Sequence, residues 1–255
     1  MLYAVCCVPV SPLRQEPSHL SEIKSQLLFG ECCKVLLTEK DWFFIQGQYD
    51  EYEGWCQASH ITEILMDDYL HARHDLTADW VNTILYNGHP MKIPFGSSLT
   101  AMINGKAQWK RNTIQFDGKF QDLTKCKTDP KTIRDIAFTY LNTPYLWGGK
   151  SVFGTDCSGY SQMVFKFLGI KLKRDAWQQA EQGNSVDFLQ EAKLGDLAFF
   201  DNAEGKIIHV GILLNEGEIV HAAGKVRIDK VDTQGIINTD TGMRTHNLRL
   251  IKRYF

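Results

Sequence analysis

The stretch that decides the fold runs from residue 148 to residue 159 and reads Gly148-Gly149-Lys150-Ser151-Val152-Phe153-Gly154-Thr155-Asp156-Cys157-Ser158-Gly159. It is a glycine-rich loop that leads into a predicted helix, because apolar residues recur at helical spacing from Cys157 to Leu168. A thiol at a helix N-terminus lies beside unpaired backbone N–H groups and the positive end of the helix dipole. Both favour the thiolate, so we expect the pKa of Cys157 to lie below about 8.5, the ordinary value for cysteine. Glycines that leave room for a substrate favour a nucleophile here over a structural cysteine.

A nucleophilic cysteine needs a base, and two of the eight histidines lie in apolar, strand-like runs: His209 and His221. If Asn215-Glu216-Gly217 forms a three-residue hairpin loop with Gly217 in the left-handed conformation, Gly211 pairs with His221. Both histidines then share one sheet face, roughly 5–8 Å apart between their β-carbons. A two-residue loop would put them on opposite faces. The hairpin therefore predicts a base and a second imidazole that orients it.

One cysteine and two histidines are also the ligands of some catalytic zinc sites, with water as the fourth ligand. We rank this alternative lower, because a metal ligand gains nothing from neighbouring glycines whereas a nucleophile does. The sequence contains no GxxxxGK[ST] phosphate-binding loop. It predicts neither a metal nor a cofactor.

The last segment of the chain, residues 129–255, has the pattern of an α+β domain. Asp129 is a favourable N-cap and Pro130 a favourable first residue for a helix that precedes the glycine-rich stretch. The predicted strands follow the helices, near residues 196–201, 207–214, 218–222 and 248–255.

The first two segments, residues 1–65 and 66–128, are predicted to be small all-β modules. Each contains short apolar runs broken by turn residues. In the first the runs cover residues 4–9, 32–37, 42–46 and 54–57, and in the second 81–86, 98–103, 107–109 and 113–116. Similar turn-like segments around Gly30 and Gly96 suggest that the second module repeats the first.

The charge balance excludes several classes of partner. The 255 residues contain 28 Lys and Arg against 30 Asp and Glu, a formal net charge of −2. This argues against nucleic acid as a partner and against a polybasic membrane anchor. No apolar run approaches the ~18 residues that a transmembrane helix needs.

The N-terminus and the cysteines predict a cytoplasmic protein. The first residues lack the positive charge of a secretion signal, and Pro9 and Pro12 interrupt the apolar run. The seven cysteines are an odd number without a disulfide pattern, which favours a reducing compartment. A signal already removed would instead imply a periplasmic or secreted protein.

Several motifs resemble, in order and spacing, those of the NlpC/p60 cell-wall peptidases, which are papain-like cysteine peptidases. They are Pro144-Tyr145-Leu146-Trp147-Gly148-Gly149, Thr155-Asp156-Cys157-Ser158-Gly159, Leu194-Gly195-Asp196-Leu197-Ala198-Phe199-Phe200, His209-Val210-Gly211-Ile212 and Ile219-Val220-His221-Ala222. The resemblance spans about residues 130–255. It implies that Cys157 is the nucleophile, His209 the general base and His221 the polar residue that orients the base. It also places Tyr145 beside the nucleophile and the Cys157 N–H in the oxyanion hole.

The first module resembles a bacterial SH3-like (SH3b) domain. The similar motifs are Leu13-Arg14-Gln15-Glu16-Pro17-Ser18, Gln26-Leu27-Leu28-Phe29-Gly30-Glu31 and Asp50-Glu51-Tyr52-Glu53-Gly54-Trp55. The expected architecture is thus an α+β papain-like catalytic domain preceded by two small all-β SH3-like barrels.

This combination of domains resembles the γ-D-glutamyl-L-diamino acid endopeptidases. The resemblance implies hydrolysis of the bond between D-glutamate and L-lysine or meso-diaminopimelate in murein stem peptides that carry a free N-terminal L-alanine. The product would be L-Ala-γ-D-Glu, and the pathway would be the recycling of cell-wall peptides.

The same resemblance implies a set of substrate-binding residues. Asp175 matches an aspartate that holds the substrate ammonium group, and Asp156 and Ser158 match residues that contact the L-Ala-D-Glu part. Glu53 and Tyr86 are the expected contributions of the SH3-like modules to the ammonium pocket. A helix cap would equally explain Asp175.

Two other classes of function remain open. The first alternative is a non-catalytic murein-peptide binding protein on a papain-like scaffold. The second is an amidase or acyltransferase with the same fold.

Overall fold

The computed structural model describes residues 2–71 and 75–255, so residues 72–74 of the predicted second module lie outside the described residues, as does Met1. The chain divides into two compact units. The first comprises the residues up to 126 together with 147–152, and the second comprises 127–146 and 153–255. The proposed division into modules at residues 65/66 and 128/129 stays a prediction.

The first unit is built almost entirely from β-strands. They are β1 (Leu2–Cys6), β2 (Val10–Arg14), β3 (Ile23–Leu28), β4 (Cys32–Glu39), β5 (Trp42–Gly47), β6 (Glu53–Gln57), β7 (Ile61–Glu63), β8 (Leu76–Thr77), β9 (Val81–Tyr86), β10 (His89–Pro94), β11 (Lys106–Trp109), β12 (Asn112–Gln115), β13 (Phe120–Gln121) and β14 (Lys150–Ser151), with a short helix α1 (Met66–Leu70). Short 3₁₀ helices span Ala58–His60 and Leu123–Lys125. One sheet has the order β3-β2-β6-β5-β4-β1-β7, and another has the order β10-β9-β12-β11. The all-β prediction for this region is confirmed.

One of the apolar runs of the second module, residues 98–103, does not form a strand. Ala101 has a φ of 57°, which ends any extended run. The Ser98 N–H and the Thr100 hydroxyl donate hydrogen bonds to the carbonyls of Phe29 (2.8 Å) and Gly30 (2.7 Å). A β-carbon on Gly30 would lie 1.7 Å from the Ser98 carbonyl oxygen, so only glycine permits this approach. The apolar run is therefore a loop packed against a turn.

Residues 147–152, which include the start of the glycine-rich stretch, belong to the first unit. The Trp147 indole N–H donates to the Glu22 carboxylate at 2.7 Å. The Lys150 ammonium lies 2.9 Å from the Glu31 carboxylate, and both side chains are buried. A buried ion pair holds this segment firmly, because separating it would leave an uncompensated charge in the interior.

The second unit contains the longer helices and a curved sheet. Its elements are α2 (Pro130–Thr139), β15 (Gly154–Thr155), α3 (Cys157–Phe167), α4 (Ala176–Ala180), β16 (Asn184–Val186), a 3₁₀ helix (Leu189–Glu191), β17 (Leu197–Asp201), β18 (Ile207–Asn215), β19 (Glu218–Ala223), β20 (Lys225–Asp232), β21 (Gly235–Ile237) and β22 (Arg244–Arg253). The Asp129 carboxylate accepts the Lys131 and Thr132 N–H groups and Pro130 is the first helical residue, which confirms the predicted start of α2.

The sheet of the second unit closes into a six-stranded barrel. Its order is β16-β22-β17-β18-β19-β20-β21, and β21 also pairs with β22. Strands β20 and β21 were absent from the sequence prediction, and β22 begins at Arg244 rather than near residue 248. Every residue of α3 is buried, and α3 packs against β18 and β19. This packing sets the N-terminus of α3 against the hairpin that carries the two histidines. None of the described helices has the length and apolar character to cross a membrane.

Candidate active site

Cys157 is the first residue of α3, as predicted, but its thiol is not poised as a thiolate. Asp156 caps the helix by accepting the Gly159 N–H at 2.7 Å. Cys157 is buried, and burial raises the pKa of its thiol to about 12, with a further rise from the Asp156 charge. The Val210 and Ser158 N–H groups act in the opposite direction as hydrogen-bond donors to the sulfur. The predicted lowering of this pKa is therefore wrong, because desolvation outweighs the helix terminus.

The predicted pairing of Gly211 with His221 is present in the β18–β19 hairpin. The predicted loop is wrong, because Asn215 pairs with Glu218 and only two residues lie between them. Gly217 does not have the predicted left-handed conformation. A two-residue loop alone would have put the histidines on opposite faces.

A bulge in β18 restores the register. Leu213 pairs with Ile219, so Leu214 is an extra residue on its strand. One extra residue shifts the alternation of side chains by one position. His209 and His221 consequently lie on the same face, as predicted, but the bulge that places them there was not predicted.

The two histidines belong to a hydrogen-bonded chain that ends at a carboxylate. His209 Nε2 lies 2.8 Å from His221 Nδ1, and His221 Nε2 lies 3.0 Å from Asp229 Oδ2. Both histidines and Asp229 are buried. Oδ1 of Asp229 also accepts from the Thr239 N–H and from the Arg227 guanidinium, each at 2.8 Å. Burial tends to raise the pKa of Asp229, but the hydrogen bonds from its partners hold that pKa well below its usual range.

This chain determines which nitrogen of His209 can act as the base. An ionised carboxylate only accepts, so His221 Nε2 donates to Asp229. Nδ1 of a neutral His221 must then accept the proton of His209 Nε2, which leaves the lone pair of His209 on Nδ1. Burial lowers the pKa of His209 well below its ordinary value, and the neighbouring His221 and His246 lower it further. The resting site thus holds a protonated thiol and a neutral imidazole.

A second buried network surrounds the residue before the nucleophile. The Arg174 guanidinium donates to both oxygens of Asp156, at 3.1 and 2.7 Å, and to the Ser158 hydroxyl at 2.9 Å. Asp156 and Ser158 therefore have a hydrogen-bond donor within the protein, the Arg174 guanidinium. Their predicted contact with substrate stays a prediction.

Tyr145 and Asp175 lie in the same unit as the nucleophile. Burial raises the pKa of Tyr145, and the charges of Cys157 and Asp156 add to the rise. The place of Tyr145 beside the nucleophile stays a prediction. Asp175 is the N-cap of α4 and forms a capping box with Gln178, which is the alternative role considered for it. Its contact with the substrate amine stays a prediction.

Glu53 and Tyr86 belong to the first unit. Glu53 is exposed on β6 and accepts a hydrogen bond from Gln46 at 3.1 Å. Tyr86 is half-buried on β9 and hydrogen-bonds to Cys7. Their proposed role in an ammonium pocket stays a prediction.

Three residues near the nucleophile were missed by the sequence analysis: Asp229, Arg174 and His246. Asp229 alternates with apolar residues along β20, a signal that would have been readable had that strand been predicted. Arg174 and His246 lie in polar stretches without periodicity. In residues 2–71 and 75–255, no group of three or more histidine, cysteine or acidic side chains is arranged to hold a metal ion.

A thiol at the start of a buried helix, beside a hairpin that carries an oriented imidazole, defines a papain-like cysteine hydrolase. Residues 142–245 match the model of the NlpC/P60 family, and residues 13–61 match that of the bacterial dipeptidyl-peptidase SH3 domain. The chain belongs to the NlpC/P60 family, which confirms the resemblance noted in the sequence.

Individual relatives agree with this assignment. The chain is 32% identical to the γ-D-glutamyl-L-lysine dipeptidyl-peptidase of Bacillus subtilis, over 78% of this chain and 72% of that protein. It is 24% identical to dipeptidyl-peptidase 6 of Lysinibacillus sphaericus, over 91% and 92% of the two chains. The crystal structure of an NlpC/P60 family protein from Bacillus cereus superposes with a TM-score of 0.81 over 99% of both chains, at 19% identity, and shows the same fold.

The hydrogen-bonded chain predicts a large effect for Asp229→Asn. The new amide would donate to His221 Nε2, reverse the tautomer of His221 and leave the proton of His209 on Nδ1, where the base is needed. We expect the rate of Cys157 alkylation by iodoacetamide at pH 8 to fall at least ~10-fold, as positioned bases contribute ~10²-fold or more. Asp240→Asn is the matched control, because the exposed Asp240 carboxylate pairs with the Arg227 guanidinium and not with a histidine. Equal rates in the wild type and Asp229→Asn would contradict the assigned tautomer.

Proposed function

We propose that this protein is a cysteine peptidase that hydrolyses the γ-D-glutamyl-L-diamino acid bond of murein stem peptides with a free N-terminal L-alanine. The observation that carries the chemistry is the buried Cys157 beside the chain from Asp229 through His221 to His209. The substrate class is supported by the name of the Bacillus subtilis relative and by the dipeptidyl-peptidase SH3 match over residues 13–61.

The reaction begins when the Cys157 sulfur attacks the γ-carbonyl carbon of D-glutamate while its proton passes to Nδ1 of His209. The new imidazolium is stabilised through His221 by Asp229. The Cys157 N–H and the dipole of α3 stabilise the oxyanion of the tetrahedral intermediate. His209 then gives its proton to the amine of the departing diamino acid.

The second half of the reaction hydrolyses the acyl-enzyme. The L-Ala-γ-D-Glu group is a thioester on Cys157 at this stage, and His209 is neutral again. Nδ1 of His209 takes a proton from water as the water attacks the thioester, and the proton passes to the sulfur as the dipeptide leaves. The imidazolium and the oxyanion therefore form only during the reaction. The Cys157 N–H and the dipole of α3 stabilise the transition state more than the resting state.

Selectivity for a free amine is the second element of the proposal. The substrate ammonium is a cation, and Asp175 supplies a half-buried carboxylate beside the network of Arg174 and Asp156. An acetylated or sugar-linked amine would leave that carboxylate without its cation, which costs binding energy.

The proposed compartment rests on the cysteines. All seven are free thiols. A reducing environment preserves this state, so we place the protein in the cytoplasm, where it would act on imported wall peptides during recycling.

The reaction predicts that the wild type cleaves L-Ala-γ-D-Glu-L-Lys to L-Ala-γ-D-Glu and L-lysine, whereas Cys157→Ala does not. Chromatography and mass spectrometry of the products measure this directly. Cys126→Ala is the matched control, because Cys126 is half-buried and distant in sequence from the catalytic motif. Undiminished cleavage by Cys157→Ala contradicts the mechanism, binding without cleavage by the wild type indicates a binding protein, and transfer of the dipeptide to an added amine indicates an acyltransferase.

The amine-recognition step predicts a selective effect for Asp175→Asn. Asparagine caps a helix as well as aspartate does, so α4 keeps its start while the charge is lost. We expect kcat/KM for the free tripeptide to fall ~30-fold, about 2 kcal/mol, because one partner of a charged pair is removed. The rate for the N-acetylated tripeptide should stay unchanged. Asp187→Asn, on an exposed side chain, is the control. An unchanged ratio between the two substrates would exclude Asp175 from amine recognition.

A further inference from the structure

His246 belongs to no motif, yet its ring stacks on the proposed base. The centroids of the His246 and His209 rings are 4.1 Å apart with 25° between the planes. The centroids of the His246 and His221 rings are 6.0 Å apart, and these two rings are nearly perpendicular, at 86°. His246 therefore covers a face of the His209 imidazole, while His221 forms a hydrogen bond with Nε2 at the edge of that ring.

Closure of the barrel fixes the place of His246. Its backbone pairs with Ile236 on β21. A β-carbon on Gly235, which has a φ of 140°, would lie 1.8 Å from the His246 carbonyl oxygen, so glycine is required for this approach. The Arg244 guanidinium donates to both oxygens of Asp232 at 2.7 Å and ties the start of β22 to the end of β20. The ring is thus held by strands and not by a loose loop.

The His246 ring is neutral at neutral pH. Burial lowers the pKa of His246 to about 4, His221 lowers it as well, and only Asp229 raises it. A charged His246 would repel the His209 imidazolium and lower the pKa of His209. The neutral ring can therefore stack on His209 during catalysis without this repulsion.

The hydrogen bond from Nε2 to His221 fixes one atom of the His209 ring but not the plane of the ring, which can still change by rotation about the Cβ–Cγ bond. The Phe200 ring, with its centroid 5.8 Å away and tilted by 47°, lies against His209 less closely than the His246 ring does. A ring stacked on the imidazole face removes this freedom. Small displacements of a catalytic group lower rates steeply.

We propose that His246 is a positioning residue that sets the plane of His209 and keeps Nδ1 directed at the Cys157 thiol. This inference rests on the proposed function for its effect on turnover. Its effect on the thiol can be measured without a substrate.

The test compares His246→Ala, His246→Phe and His246→Leu in the full chain. Phenylalanine keeps a flat ring, leucine keeps apolar volume without one, and alanine removes both. We expect His246→Ala and His246→Leu to lower kcat on the tripeptide ~10-fold with KM changed less than ~2-fold. His246→Phe should retain kcat within ~2-fold. Asn247→Ala, on the exposed neighbour along β22, is the matched control and should equal the wild type.

Alkylation of Cys157 by iodoacetamide at pH 8 supplies the readout that does not depend on turnover. It should fall in His246→Ala and His246→Leu by the same factor as kcat and be retained in His246→Phe, with thermal melting confirming that each variant is folded. Unchanged alkylation in His246→Ala and His246→Leu overturns the inference, as does an equal loss in His246→Phe. A wild type that alkylates normally but cleaves no tripeptide would defeat the proposed function, and the alkylation series would still decide the role of His246.

Discussion

The buried hydrogen bonds that join Asp229, His221 and His209 are the constraint on which the site depends. Three polar side chains are withdrawn from water there, and each must find its partner inside the barrel. The ionised Asp229 carboxylate can only accept hydrogen bonds. This sets the donor and the acceptor in each of the two hydrogen bonds, and therefore which nitrogen of His209 carries the lone pair. The tautomer of the proposed base is thus decided two residues away from the reacting atoms.

Burial also changes how the nucleophile works. A thiol with a pKa raised to about 12 and an imidazole with a lowered pKa do not exchange their proton at rest. The proton moves only as the sulfur attacks, when the Val210 and Ser158 N–H groups and the oriented histidines face a developing charge. Burial and protonation protect the thiol from oxidation, and the backbone N–H groups around it are already aligned when substrate arrives.

The sequence predicted what depends on local order. The start of α2 at Asp129-Pro130, the helix that begins at Cys157 and the strands that carry His209 and His221 follow from capping residues and periodicity, and the structure contains them. The hairpin shows the limit of such reasoning, because the shared face of the histidines depends on a bulge at Leu214 that no local signal announces.

What the sequence could not predict depends on tertiary packing. Asp229 and His246 reach the site only because β20, β21 and β22 close the barrel. The closure depends on the pairing of β22 with β17, which places Leu248 opposite Phe200, a residue far away in the chain. Arg174 lies in a polar run that resembles surface, although it is buried against Asp156. The pKa of Cys157 was predicted in the wrong direction because helix position is local, whereas desolvation is set by everything packed around the sulfur.

The most direct test of a neutral resting site is the ultraviolet absorbance of the Cys157 thiolate in the free wild-type enzyme as a function of pH, with Cys157→Ala as the reference. The thiol is deprotonated only as its raised pKa is approached, so the difference in absorbance between the two proteins should stay absent at neutral pH and appear only above about pH 9. A thiolate signal that is already present and constant above about pH 5 would show a thiolate and an imidazolium at rest, as in cysteine proteases with a strongly lowered thiol pKa. That result would contradict a protonated thiol beside a neutral His209.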